Sequence, residues 1–350
     1  MSLVNTLTQS LRANYPSNLD KFEGRLSKYG AWEAFVADTK SPLSVVSADV
    51  IRLAKESMGN TVNVPVIDSG DVTIGSVRTC TIADTENTSN LVQVTFVPYV
   101  FGFKMYPAQY KNNDIKYQED YNKKMQRYLK KFAGLLDSAA VAKLEADKSQ
   151  VWNSAFVASG KYPLIGDTAQ VSQAQKSLIY NDVTSMMAED DYDGAYTVVA
   201  SSTHRSTVAE YANQGANNAV NTMFQFGEYN FGPYSNRVTV AALMESTAFV
   251  IPEGSLATFN RNDPDSIAGS RIDENNYWGT VQMPVVDLEM GFKYSRACAD
   301  GSAINAGTSH LTATMEETFI FSTDVAFMTP YISNPAGDAS PIHKFEVTVA

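Results

Sequence analysis

The chain has 350 residues, enough for about two domains and for a core that needs no disulfide staple. Its 27 basic and 38 acidic side chains give a formal charge of −11, which argues against a general nucleic-acid binder. Hydrophobic residues at 44% argue against disorder. A charged fraction of only 19%, with 18 Tyr and 17 Phe, points to a surface that partners cover in part. Charge is unevenly spread. Residues 1–149 carry 18 basic and 16 acidic groups, net +2, and residues 150–350 carry 9 and 22, net −13, so the two parts face different surroundings.

Residues 1–57 read as an arm. Short amphipathic helices are expected at Leu3–Leu11 and Trp32–Ala37. A third runs from Ser47 to Ser57, with Ser47 as N-cap and Val50, Ile51 and Ala54 on one face. So few apolar residues per turn make no core of their own, and the segment must pack on something else. Residues 60–106 read as β. Val62, Val64 and Val66 alternate with Asn63 and Pro65, Val77–Ile82 alternate again, and Leu91–Phe96 and Val97–Lys104 follow. The stretch Ala83–Asn90 is a polar, turn-forming tip. A two-stranded excursion of this kind is marginal alone and is expected to lie on a neighbour.

Residues 114–148 carry the strongest helical period: Tyr117, Tyr121, Met125, Tyr128, Phe132, Leu135, Ala139 and Leu144. Such a helix is roughly 50 Å long, more than one small core can cover. Lys123, Lys124, Arg127, Lys130 and Lys131 form a run with no acid between Tyr121 and Leu136. It reads either as a solvated face or as a contact for acidic protein or nucleic acid. Gly134 lowers helix propensity and permits a bend. Further helices are expected at Val171–Glu189, with Leu178, Ile179, Val183, Met186 and Met187 inward, and at Ser202–Ala212. Strands are expected at Ala195–Ala200, Arg237–Ala241 and Thr247–Ile251, with Ser255–Phe259 and a polar loop through Asn276 after them. In the β-rich return over 281–332, Met283–Phe292 and Thr318–Phe327 are clearest.

The chain lacks the glycine-rich phosphate loops, the GxSxG elbow and the HExxH zinc motif. No catalytic, cofactor-binding or metal residue is assigned. Cys80 and Cys298 read as separate thiols without metal spacing. His204, His310 and His343 lie at no ligand spacing and read as structural or surface residues. Placing Gly194 at position six of a calcium loop makes Glu189 the first ligand, but position twelve is then Ala200 instead of a bidentate carboxylate. Glu189, Asp191 and Asp193 therefore read as a solvated turn. Glu316 and Glu317 are adjacent, so a strand sends them to opposite faces and they make a poor acid–base pair. No run approaches the ~18 apolar residues of a membrane span, and Met1–Leu11 lacks a basic start. The chain is expected to have no membrane partner and to be cytosolic where it is made.

The order of these elements resembles the major capsid protein of tailed bacteriophages, the Hong Kong 97-type fold. Two stretches carry the resemblance: Phe132–Ala142, similar to the family's spine helix, and Val171–Glu189 leading through Asp193-Gly194 to Ala195–Ser201, similar to the approach to the central strand of its axial domain. The resemblance implies an α+β fold with an N-terminal arm at 1–57 and an extended β-hairpin loop at 58–112. It implies a peripheral domain from the spine helix at 113–160 and the β-rich return at 283–350, and an axial domain at 161–282. It also implies a structural, non-enzymatic subunit that assembles in the host cytoplasm through hexamers and pentamers into the icosahedral virion shell of a double-stranded DNA phage. Its partners would be copies of itself, a portal, scaffolding or decoration proteins, and packaged DNA held without sequence specificity. A cellular compartment shell of the same fold, and an α/β enzyme without a recognisable motif, are the alternatives.

Overall fold

The computed structural model describes residues 29–57, 59–68, 88–110, 114–214, 225–226, 229–262, 275–283, 286–300, 313–332 and 334–349. The expected features at Leu3–Leu11, Val77–Ile82, 83–87, Cys80 and His310 lie outside them, as does the side chain of Cys298. The fold is α+β and is organised by two sheets and one long helix. Helices α1 (Gly30–Lys40) and α2 (Ala48–Glu56) open the chain. Strands β1 (Thr61–Asp68) and β2 (Thr88–Thr95) pair antiparallel as a two-stranded ribbon. Strand β3 (Val97–Met105) then precedes α3 (Asp114–Ala146), and α4 (Ala155–Ala158) is a single turn.

The remaining elements are β4 (Leu164–Ile165), β5 (Thr168–Val171), α5 (Ile179–Glu189), β6 (Tyr196–Ala200), α6 (Arg205–Gln214), β7 (Gln225–Phe226), β8 (Tyr229–Asn230) and β9 (Met244–Pro252). They are followed by β10 (Ala257–Arg261), β11 (Asn276–Met283), β12 (Leu288–Asp300), β13 (Ala313–Met328) and β14 (His343–Thr348). One sheet has the order β10-β13-β12-β11, with β3 along the edge of β13 that lies opposite β12. The second has seven strands in the order β4-β5-β14-β9-β6-β8-β7.

Register explains what each sheet buries. Side chains alternate along a strand, so Phe103, Phe319, Phe321, Phe292 and Met290 share the face that packs on Tyr121, Met125, Leu129, Phe132 and Leu136 of α3. The rings stack at 5.2 Å (Phe101–Phe321) and 5.3 Å (Phe103–Phe319). The seven-stranded sheet is covered on both faces. Val198 and Val250 meet α5, while Val199, Phe249 and Ile251 meet Phe35 of α1 and Ala140 and Leu144 of α3. One half of α3 thus serves one sheet and the other half serves the second. Trp32 and Phe35 set α1 in the joint between them. The N-cap residue of α1, Tyr29, makes no side-chain capping bond. Buried Asp137 of α3 takes that role by accepting from the Trp32 N–H at 3.1 Å.

Several expectations change. The stripe of α3 buries Leu129 and Leu136, and Leu135 points outward at 50% exposure. The expected helix Val171–Glu189 begins only at Ile179. Residues 168–171 are β5, pairing in parallel with β14, and Leu178 is exposed. The distant partner supplies backbone hydrogen bonds that local period cannot reveal. The expected helix Ser202–Ala212 is a 3-10 turn at Ser202–His204 followed by α6. Residues 237–241 form no strand; there the Arg237 guanidinium lies 3.6 Å from Asp137. Met283–Phe292 is two strands, broken at Val286-Asp287, where Asp287 has φ 51°. Thr88–Asn90 of the expected polar tip belong to β2. β10 and β11 lie in the sheet under α3, and β14 returns to the seven-stranded one. The N-cap role of Ser47 matches: its side chain accepts from the Val50 N–H.

Candidate assembly interface

The ribbon stands on a clamp. Its inner face, with Val64 and Val94 buried, packs on Ala54 of α2 and on Phe259, Ala326 and Met328. The chain enters the ribbon through Ser57 and Gly59 and leaves it through Phe96. Arg261 touches all three. Its guanidinium lies 4.3 Å from the Phe96 ring centroid. It donates to the Ser57 carbonyl at 2.9 Å and to the Gly59 carbonyl, and its Nε meets Asp324 at 2.9 Å. A buried Arg held by several acceptors is satisfied only while the ribbon root keeps this geometry. The outer face of the ribbon bears Thr61, Asn63, Pro65, Leu91, Gln93 and Thr95, all exposed, with Leu91 at 65%.

The sheet under α3 leaves a second surface. On the face away from α3, the row Gly102, Ile320, Lys293 and Trp278 is set by direct cross-strand pairing. Val100, two residues from Gly102, is 66% exposed. The Lys293 ammonium lies over the Trp278 ring at 4.3 Å. Among the described residues, the lower end of this face, at Ala326 and Met328, is covered by α2 and the ribbon root. Glu316 lies on the open face with Lys104 at 2.7 Å, whereas Glu317 lies on the inner face, accepting from Tyr117 and Tyr294. The two carboxylates point apart, as adjacent strand residues must.

The candidate chemistry resolves into structural contacts. Glu189 accepts from the Ala155 N–H at 2.8 Å, and buried Asp190 accepts from the Asn153 N–H at 3.2 Å and pairs with His343 at 2.9 Å. The acidic turn therefore latches α4 and β14 to the end of α5, with Ala200 buried in β6. Among the described residues no three His, Cys, Asp or Glu side chains gather as metal ligands. His204 is buried, bonded to Tyr180 and at 2.9 Å to the Ser246 hydroxyl, and burial pushes its pKa down to about 4. Ser246 is fully buried too, so this Ser–His–Tyr group meets no substrate. Burial raises Asp38 to about 6 against the opposing Leu256 and Gly254 N–H groups. A cavity of about 300 Å³ lies between β2 and the end of α3, lined by Val92, Lys143, Asp147, Phe327, Tyr331 and Ile332 among others. None of the residues with a strongly shifted pKa lines it.

The basic run divides. Lys124 pairs with Asp120 at 3.0 Å and donates to the Lys104 carbonyl. Lys123, Arg127 and Lys131 are exposed. Gly134 is a matter of space: a Cβ there would sit 2.5 Å from the Arg237 guanidinium. No described helix is long and apolar enough to cross a membrane.

No family model and no curated protein matches the sequence. Among solved structures the chain is similar to the capsid structure of the cyanophage P-SCSP1u, with 10% identity, TM-score 0.44, and 84% of each chain covered. It is similar to the capsid of Ralstonia phage GP4, with 11% identity, TM-score 0.43, and 84% of this chain and 85% of that one covered. A chain of Microbacterium phage Oxtober96 aligns at 12% identity and TM-score 0.45, covering 88% and 93%.

Proposed function

We propose that the chain is the structural subunit of an icosahedral shell of the tailed-phage, Hong Kong 97-type family. The observation that carries this reading is the self-paired ribbon. Its strands find no third strand among the described residues, its outer face is exposed, and Arg261 holds it in one orientation. An isolated ribbon is marginal, so a fixed one is a device for a neighbour. In this reading β1 and β2 belong to the extended loop. Helix α3 with the sheet beneath it forms the peripheral domain, and the seven-stranded sheet with α5 and α6 forms the axial domain. The partners are other copies in rings of five and six, a portal, scaffolding or decoration proteins, and packaged double-stranded DNA. Symmetry repeats each contact around a closed shell, so modest pairwise free energies suffice.

Negative-stain electron microscopy with gradient sedimentation of the purified full chain tests the reading. Closed shells, or rings of five and six, are the expected result. A monomer that persists under mild crowding and with added scaffold overturns it.

A further inference from the structure

We propose that the exposed row Lys123, Arg127 and Lys131 on α3 is a sequence-independent contact for the phosphate backbone of double-stranded DNA, which turns this edge of the helix toward the lumen; the proposal rests on the shell reading. The three residues follow one another at i, i+4 and i+8, so they form a single row with roughly 6 Å of axial rise between members. Lys123 lies near Asp120, but that carboxylate is already engaged by Lys124 at 3.0 Å and by Tyr110. Among the described residues neither Arg127 nor Lys131 has a hydrogen-bond or ion-pair partner. Exposed Glu119, one turn before Lys123, ends the row on its N-terminal side, but no carboxylate occurs in the sequence between Tyr121 and Leu136, so Arg127 and Lys131 face no acid within a turn on either side of the row.

The composition of the row favours a polyanion over an acidic protein. Protein interfaces are anchored on buried aromatic residues and are depleted in Lys. Here the exposed positions 123, 127 and 131 are all basic, and no apolar residue joins them until Leu135. Phosphate contacts need no apolar anchor, because release of condensed counterions drives them. Residues 150–350 carry net −13 and repel DNA elsewhere. The row thus sets a line of positive charge on a chain whose net charge is −11.

The test is fluorescence anisotropy of a labelled duplex of about 30 base pairs with the unassembled full-length chain, across salt concentrations. Three phosphate contacts predict a slope of log K against log salt of about −2.7, or about a fortyfold loss between 50 and 200 mM salt. K123Q/R127Q/K131Q is expected to bring the slope close to zero, while K123R/K131R retains it and a shuffled duplex binds equally. All three positions are exposed, and unchanged thermal melting checks the fold. A wild type without salt-dependent binding, or a triple variant that binds as the wild type does, overturns the proposal. Sedimentation of the same samples separates it from the reading beneath it. A triple variant that binds DNA normally but no longer assembles assigns the row to an acidic surface of a second copy, which overturns the proposal. A wild type that binds DNA through the row yet never forms shells refutes the shell reading alone.

Discussion

The two sheets of this molecule are built to different standards of closure. The seven-stranded sheet has helices on both faces, and every residue of β6 is buried. The sheet beneath α3 packs one face with aromatic rings and leaves most of the other to Val100, Ile320, Thr318 and the Lys293–Trp278 pair. A sheet buried on both sides completes itself within the chain. A sheet closed on one side and half apolar on the other is not completed by the described residues, and an exposed apolar face of this kind suits an interaction surface. In the shell reading proposed above, the contrast separates residues that make the subunit from residues that join subunits.

The strongest way to break this contrast is a pair of substitutions on adjoining strands. Phe321→Ala, inside the helix–sheet core, is expected to cost roughly 3–5 kcal/mol in urea denaturation. Val100→Asp, on the opposite face, should change the stability of the unassembled chain by no more than about 0.5 kcal/mol while abolishing shells in a sucrose gradient. Equal costs, or shells formed by the Val100 variant, would erase the distinction. Next in size is Asp137→Ala. It removes the acceptor of the Trp32 N–H and the Ser235 hydroxyl and leaves Arg237 without its partner. A loss of roughly 2–3 kcal/mol is expected, with α1 loosened first in hydrogen exchange. Arg261→Met keeps the volume against Phe96 but abandons the carbonyls of Ser57 and Gly59 and the Asp324 carboxylate. It should cost roughly 1–2 kcal/mol, read as faster exchange of the β1–β2 amides with the seven-stranded sheet unchanged.

The smallest effects sharpen the comparison through pH. Asp38 sits at the joint of the two sheets with its pKa raised to about 6 by burial. Its folded state binds the proton more tightly than the unfolded chain does, so its contribution is full below about pH 4 and is lost as pH rises through 6. His204 lies under the seven-stranded sheet with its pKa lowered to about 4. Its contribution is full above about 6.5 and is lost as pH falls toward 4. The two slopes oppose each other between pH 4 and 6. Asp38→Asn should therefore make stability fall more steeply on acidification, and His204→Gln less steeply, in denaturant midpoints taken from pH 4 to 7. Parallel curves for both variants would show that neither group titrates as placed.

The long helix was legible within two residues, because thirty residues of one period outweigh any local ambiguity. The Ser47 cap was legible because capping is local chemistry. What escaped was set at a distance. Thr168–Val171 becomes a strand only through β14, and Arg237 leaves extended pairing for Asp137, about a hundred positions earlier in the chain. The turn at Val286-Asp287 lacks glycine and is fixed by the Trp32 indole donating to the Val286 carbonyl at 3.2 Å. The candidate interface was half legible. The ribbon announced itself by alternation and a polar tip. The open face of the sheet did not, since it needs the register of β3, β13, β12 and β11, brought together from three separate parts of the sequence. The basic run was visible, but which of its members are engaged depended on Asp120 in the preceding turn.

One residue, Phe96, separates the last strand of the ribbon from the first strand of the sheet, and Arg261 grips it. Ribbon and sheet are thus two arms of one stiff lever with its fulcrum at that ring. A torque applied where a neighbour holds the ribbon passes along β3 to Phe101 and Phe103, and through their rings to Tyr128 and Phe132 of α3. The lattice of a shell would then be mechanically continuous through each subunit's backbone, and strain at one contact would be shared by the helix spine rather than absorbed at the surface.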